Sequence, residues 1–189
     1  MAATRWKTDL THADVQFSAK HMMVTTVRGK FADVVGTMTL DEENPSASSG
    51  EFTIQAASLT TGVERRDAHL RNEDFFHSDV YPTITFRSTS VESAGIDRYT
   101  VTGDLTIRDV TNTFTFDVDF LGFYQGFGGR RAGFHAIGTL NRDAFGLTWN
   151  VMLESGAWLV GKDVKLEIDL AMDEVVAETT APELAMASA

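Results

Sequence analysis

Residues 65 to 76 read RRDAHLRNEDFF, with three arginines, three acids and a histidine followed by paired phenylalanines. A guanidinium donates well to phosphate or to a quinone oxygen, so Arg66, with Asp67 beside it, is a candidate for holding a polar head group. The competing role is a buried pair that ties a helix to its support, because adjacent helical residues rarely point at one target. Glu64 or Asp67 near His69 has the residue types for acid and base chemistry on a lipid. A nucleophile is harder to find. The chain has no cysteine, and none of its serines lies in a G-x-S-x-G setting. His12, His21 and His69 invite a zinc reading, but no pair has the i, i+4 spacing of a helical metal site and no thiolate assists, so no metal is expected. GFGGRR, at 126 to 131, joins two extended runs and opens no helix, which fits a flexible hairpin and not a phosphate loop.

The elements that must position these residues are mostly strands. Apolar and polar residues alternate with period two in EFTIQAAS, ITFRSTSV, RYTVTGDLTIRD, TFTFDVDFLG, RAGFHAIGTL and DVKLEIDLAM. Two more runs, 12–19 and 24–41, come earlier. The second changes parity between Val27 and Phe31 on one side and Met38 and Leu40 on the other, which predicts a bulge. One wet and one dry face per strand belongs to antiparallel sheets. About eight strands joined by short links such as 93–97 and 108–112 predict an up-and-down antiparallel barrel, with a two-sheet sandwich as the alternative.

The charged stretch then falls between two strands. VERRDAHL has good helix formers, Asp74 is placed to cap a second short turn, and Tyr81-Pro82 restores extension. Residues 63 to 78 are therefore expected to form a helical lid over one mouth, with Val63, Leu70, Phe75 and Phe76 facing in and Arg65, Arg71 and Glu73 facing water. The inward face mixes bulky Phe52, Phe86, Phe114, Phe116, Phe120 and Phe134 with Ala56, Gly103, Ala132, Ala136 and Gly138. Small residues there argue for a hollow barrel with a greasy ligand; the alternative is that large and small residues interlock and leave no void. Met22 and Met23 would suit a flexible hydrocarbon chain.

The whole chain sets outer bounds. It has 189 residues, 43% hydrophobic, with a formal net charge of −11. That charge disfavours nucleic acid and anionic membranes. No run reaches the roughly 18 apolar residues of a helical span, so no stable membrane insertion is expected. The start, MAATRWKTDL, has no apolar h-region, so a cytoplasmic location is expected. Residues 1–172 read as one domain, and 173–189, small and alanine-rich, as a mobile tail.

GVERRDAHLRNEDFFHSDVYPTITFRST strongly resembles the signature of the YceI-like family. WKTDLTHADVQFSAKHMMVTTVRGKF, YTVTGDLTIRDVT and LNRDAFGL resemble further family motifs in the same order, so the resemblance spans roughly 5 to 170. It implies a lipocalin-like eight-stranded barrel with a short helical lid. Its apolar channel would bind a polyisoprenoid or isoprenoid quinone as carrier, store or sequestering protein, without catalysis and with no cofactor beyond the lipid. It also implies a homodimer. The matching positions are His12, His21, Arg66, Asp67, His69, Leu70, Phe75, Phe76, Pro82, Phe86, Arg142, Phe145 and Gly146. Together with the pattern above, the expected ligand contacts are Met22, Met23, Phe31, Phe52, Arg66, Asp67, His69, Leu70, Phe75, Phe76, Phe86, Phe114, Phe116, Phe134, Arg142 and Phe145. Two departures stand out. Asp109 occupies a usual glycine position, and Asn72 a usual serine position.

Overall fold

The structure, a computed structural model, describes residues 3–126 and 128–176. The described residues form ten strands and one α-helix, which falls between the fifth and sixth strands. They are β1 (Thr4–His21), β2 (Thr25–Phe31), β3 (Val34–Leu40), β4 (Ser49–Gln55), β5 (Leu59–Thr60), then α1 (Glu64–Arg71), β6 (Thr83–Gly95), β7 (Arg98–Ile107), β8 (Val110–Gly126), β9 (Gly129–Asn141) and β10 (Val160–Glu174). Eight of the strands form an antiparallel ring, β1-β3-β4-β6-β7-β8-β9-β10, and β10 returns to pair with β1. That last pairing, with Val15 opposite Ile168, makes a barrel and excludes the sandwich. The strands β2 and β5 lie outside the ring, β2 along the second half of β1 and β5 along β2.

The long β1 exchanges partners midway. Thr4 to Lys7 pair with β3, whereas Val15 to His21 pair with β2. Its register against β10 slips between Thr8 and Ala13. Asp9 anchors the slip by accepting from the Thr11 amide at 2.9 Å, the Thr11 hydroxyl at 2.6 Å, His12 Nδ1 at 2.7 Å and Arg131 at 2.8 Å. A bulge of this kind bends and twists a strand, which the closing of a barrel requires. The parity change expected within 24–41 resolves differently. It is an interruption at residues 32–33 separating β2 from β3, and not a bulge inside one strand. The backbone groups freed there are taken up by the segment around β5: the Ala32 amide donates to Ser58 O at 3.3 Å, the Asp33 amide donates to Ser58 Oγ at 3.1 Å, and Asp33 O accepts from the Gln55 amide at 2.9 Å.

Two apolar clusters fill the ends unequally. The larger includes Phe31, Leu59, Ile84, Leu105, Ile107, Phe114, Leu140, Phe145 and Leu147, with Leu70 and Phe76 packed against it. The smaller joins Trp6, Leu40, Ala132 and Met172 at the other end. The β7–β8 link is a two-residue turn in which Arg108, not Asp109, takes the left-handed conformation (φ 58). An aspartate in the usual glycine position is therefore tolerated.

Three expectations about the lid need correction. Val63 is exposed, because it precedes the first turn of α1 instead of lying on its inner face. Arg71 does not face water alone. Its Nε donates to Ala57 O at 2.9 Å and its Nη2 to Leu59 O at 2.6 Å, stitching α1 to β5. Asn72, not Asp74, holds the second turn, its side-chain oxygen accepting from the Asp74 amide at 2.9 Å. At the C-terminus, β10 runs on through Asp173 and Glu174, so the barrel outlasts the boundary drawn at 172. The remainder of the expected tail, 177–189, lies outside the described residues.

Candidate ligand cavity

The barrel is hollow toward one end. A cavity of about 360 Å³ lies inside the ring, within the range of small-molecule sites. Its floor is the layer of Val15, Val34, Ile54, Phe86, Phe116 and Ile168. Its walls include Met38, Phe52, Val91, Val101, Val118, Phe120, Phe134, Ala136 and Leu170. It opens among Asp41, Glu42, Pro45 and Ser48 of the β3–β4 connection, Ser49 at the start of β4 and Asp97 of the β6–β7 turn.

The glycines on the inner face do not make this space. A Cβ at Gly36 would sit 2.1 Å from the Phe52 ring, one at Gly103 2.6 Å from the Phe86 ring, and one at Gly138 2.7 Å from the Phe114 ring. Each glycine is already occupied by a phenylalanine, so here large and small residues do interlock. The vacancy comes instead from small and medium-sized residues, Val91, Val101, Val118 and Ala136, side by side on the adjacent strands β6 to β9. No single residue type in the sequence announces that.

α1 and the turn after it lie at the opposite, closed end. There Phe75 is buried beneath Trp149 and His69, with ring centroids 5.4 and 5.1 Å away, and Phe76 meets Phe31 edge-on at 5.6 Å. α1 thus closes one mouth as the expected helical lid, a plug packed into the barrel end, and the portal lies at the other mouth. Asp67 is buried, and accepts from Thr60 Oγ1 at 3.1 Å, the Thr61 amide at 2.8 Å and Thr61 Oγ1 at 2.5 Å. Burial works to raise its pKa, but these bonds and the nearby Arg71 outweigh it and hold the carboxyl below its usual value. Arg66 donates to the Thr61 hydroxyl at 2.7 Å and to Thr61 O at 3.1 Å. Both residues thus bind the β5 corner, and neither reaches the cavity. His69 pairs with Asp74 at 2.9 Å and stacks edge-on against Trp149 at 4.6 Å.

The other expected contacts divide in the same way. Phe52, Phe86, Phe116 and Phe134 line the cavity. Phe31, Leu70, Phe75, Phe76, Phe114 and Phe145 belong to the closed-end core or pack against it. Arg142 is buried there too and donates to Gly161 O and Trp149 O, both at 3.0 Å, and to Leu147 O. Burial pushes its guanidinium below its ordinary value, against the opposing pull of Asp143. Met22 and Met23 sit on the exposed tip of the β1–β2 hairpin, in left-handed conformations (φ 52 and 59), remote from the cavity.

Several residues that sequence reasoning passed over are prominent. Arg108 donates to Phe75 O at 3.3 Å and lies over the Tyr81 ring at 5.4 Å, tying the β7–β8 turn to the plug. At the portal, Arg130 donates to both carboxylate oxygens of Glu42, at 2.6 and 2.8 Å, and covers the Phe123 ring at 3.7 Å. Phe123 in turn stacks on the fully buried Trp6 at 5.6 Å. Arg130 was visible in GFGGRR, but nothing local pairs it with Glu42. Among the described residues, no group of three or more His, Cys, Asp and Glu side chains could hold a metal ion.

The YceI-like domain model matches residues 6–172, nearly the whole of the described barrel. The chain belongs to the YceI-like family. A UPF0312 protein of Staphylococcus aureus strain USA300 is 37% identical over 166 residues, covering 87% of this chain and 94% of that one. Among solved structures, BcnA of Burkholderia cenocepacia superposes with a TM-score of 0.73 at 25% identity, covering 87% of this chain and 98% of that one. A YCEI protein of Campylobacter jejuni gives 0.70 at 28% identity, covering 84% and 90%. A polyisoprenoid binding domain from Saccharophagus degradans shares the fold, with a TM-score of 0.64 at 14% identity and coverage of 90% and 98%. In this YceI-like chain the family signature folds into the plug, while the opening motif, Trp6, Asp9 and His12, builds the bend in β1 and the wall beside the portal. Of the candidate acid and base residues, Asp67 is bonded to Thr60 and Thr61, His69 to Asp74, and Glu64 is exposed with its carboxylate 3.8 Å from Arg71. Family and fold agree with a lipid-binding barrel.

Proposed function

We propose that this barrel binds a long apolar lipid of isoprenoid type, tail inward, and serves as its carrier, store or sequestering protein. The observation that carries the reading is a cavity with aromatic and aliphatic walls, open at one end and stopped at the other by a packed core. A hydrocarbon tail entering it leaves water at about 25 cal/mol per Å² of buried apolar surface. The isoprenoid class is supported by the shared fold with the Saccharophagus degradans domain and by the bulky, branched character of the walls. The polar end of such a ligand stays at the portal, away from Arg66 and Asp67.

The test is mass spectrometry of an organic extract of the protein purified without detergent. A hydrocarbon-rich lipid recovered in near-stoichiometric amount is expected. An empty protein that also takes up no isoprenoid from a carrier solution would end the proposal.

A further inference from the structure

We infer that the cavity selects an isoprenoid whose polar end bears oxygen but no charge, an alcohol or a quinone, over one ending in phosphate or diphosphate; this rests on the lipid-binding reading above. Among the described residues that line the cavity, none is a lysine, an arginine or a histidine. Three are carboxylic acids, Asp41, Glu42 and Asp97, and all three stand at the open end where a head group must rest.

The neighbouring cation is already committed. Arg130 meets Glu42 through two parallel bonds, the arrangement that matches a guanidinium to a carboxylate, and is pinned over Phe123. To turn toward a phosphate it would leave Glu42 uncompensated beside the incoming charge. Its neighbour Arg131 is held between Asp9 and Asp173, at 2.8 and 2.9 Å. On the adjoining strands, Arg98 pairs with Asp119 at 3.3 Å and Arg87 with Glu51 at 2.9 Å. A diphosphate would enter a ring of like charge on a protein whose net charge is −11.

An uncharged head finds partners there. The Ser48 and Ser88 hydroxyl oxygens accept from the Asp41 and Gly50 amides, at 3.0 and 2.8 Å, which leaves each O–H to donate. These hydroxyls suit a quinone oxygen, and the carboxylates suit the O–H of an alcohol.

The experiment compares three ligands with the same geranylgeranyl tail, the alcohol, a quinone and the diphosphate, delivered from the same carrier and titrated calorimetrically at low and high salt. The alcohol and quinone are expected to bind at least about tenfold tighter than the diphosphate at low salt, with the gap narrowing as salt screens the carboxylates. In the double variant E42Q/D97N the diphosphate should gain about tenfold while the quinone stays within about twofold, because the quinone carries no charge and its oxygen takes its bonds from the serine hydroxyls and not from the carboxylates. Diphosphate binding as tight as alcohol binding in the unaltered protein, or diphosphate binding that is lost on Arg130→Ala, would overturn the inference. Failure of all three ligands would instead strike the lipid-binding reading beneath it.

Discussion

Asp67 shows how a residue with the chemistry of a site can be spent on architecture. Its carboxylate gathers three donors from Thr60 and Thr61, and its neighbour Arg66 takes the remaining groups of Thr61, so together they fix the start of α1 to β5. Removing it leaves those donors buried or half-buried without an acceptor. Asp67→Ala is therefore expected to lower stability by about 2–3 kcal/mol, measured by chemical denaturation. The effect depends on pH with a definite sign. The folded carboxyl lies below its ordinary value, so its contribution is complete above the unfolded value of about 4 and is lost as pH falls through the folded one. The stability gap between the native protein and Asp67→Asn should be widest near neutrality and shrink below pH of about 4. A gap independent of pH would mean the carboxylate is not ionised in its corner. Ligand affinity should change little at neutral pH in either variant, since Asp67 does not line the cavity.

At the level of elements, the strands were legible because each has a dry and a wet face, and that signal is local. Phe114 and Phe116 against Thr113 and Thr115, or Leu166 and Ile168 against Lys165 and Glu167, place themselves. The break between β2 and β3 was legible as a change of parity. What turned it into two strands was not, because the partners that absorb Ala32 and Asp33 lie beyond the β3–β4 connection. Nor could the helix show which mouth it covers. The charged α1 carries no apolar stripe to orient it, and the contacts that seat the segment after it come from the distant Trp149 and Arg108. The glycines misled for a similar reason, since a small residue in sequence does not reveal that Phe86 or Phe114 occupies its space. The cavity is bounded instead by valines and an alanine, which makes it easy to fill. Val101 faces Val91 on β6 and Phe116 on β8 in the ladder and lines the cavity. Val101→Phe is expected to weaken lipid binding at least about tenfold while leaving the melting temperature unchanged or slightly raised, because the ring enters empty space and not a packed core. Unaltered binding would put the lipid somewhere else.

For the molecule as a whole, the decisive feature is that the two ends are unlike. One is packed with aromatic rings around α1 and the Arg142 turn; the other carries carboxylates and a cavity. A ligand therefore enters at the β3–β4 side and advances until it meets the floor. Both Val34 and Leu40, the ends of the seven-residue β3, line the space. At about 3.3 Å per residue and a strand tilt of about 40°, the usable depth is about 15 Å. Affinity should then climb as isoprene units are added, by about 1.5 kcal/mol or about tenfold per unit for atoms that fit, and level off once the tail spans that depth. Titration of geraniol, farnesol, geranylgeraniol and a longer polyprenol checks this, with a plateau expected before the longest member. A continued rise through the longest alcohol would require the closed end to open, and Phe75, Phe76 and α1 would have to swing out as a true lid. In that case Asp67→Ala, which loosens the corner holding α1, should raise the affinity for the longest alcohol while leaving that for farnesol unchanged. A plateau that Asp67→Ala does not move fixes the plug as a permanent floor.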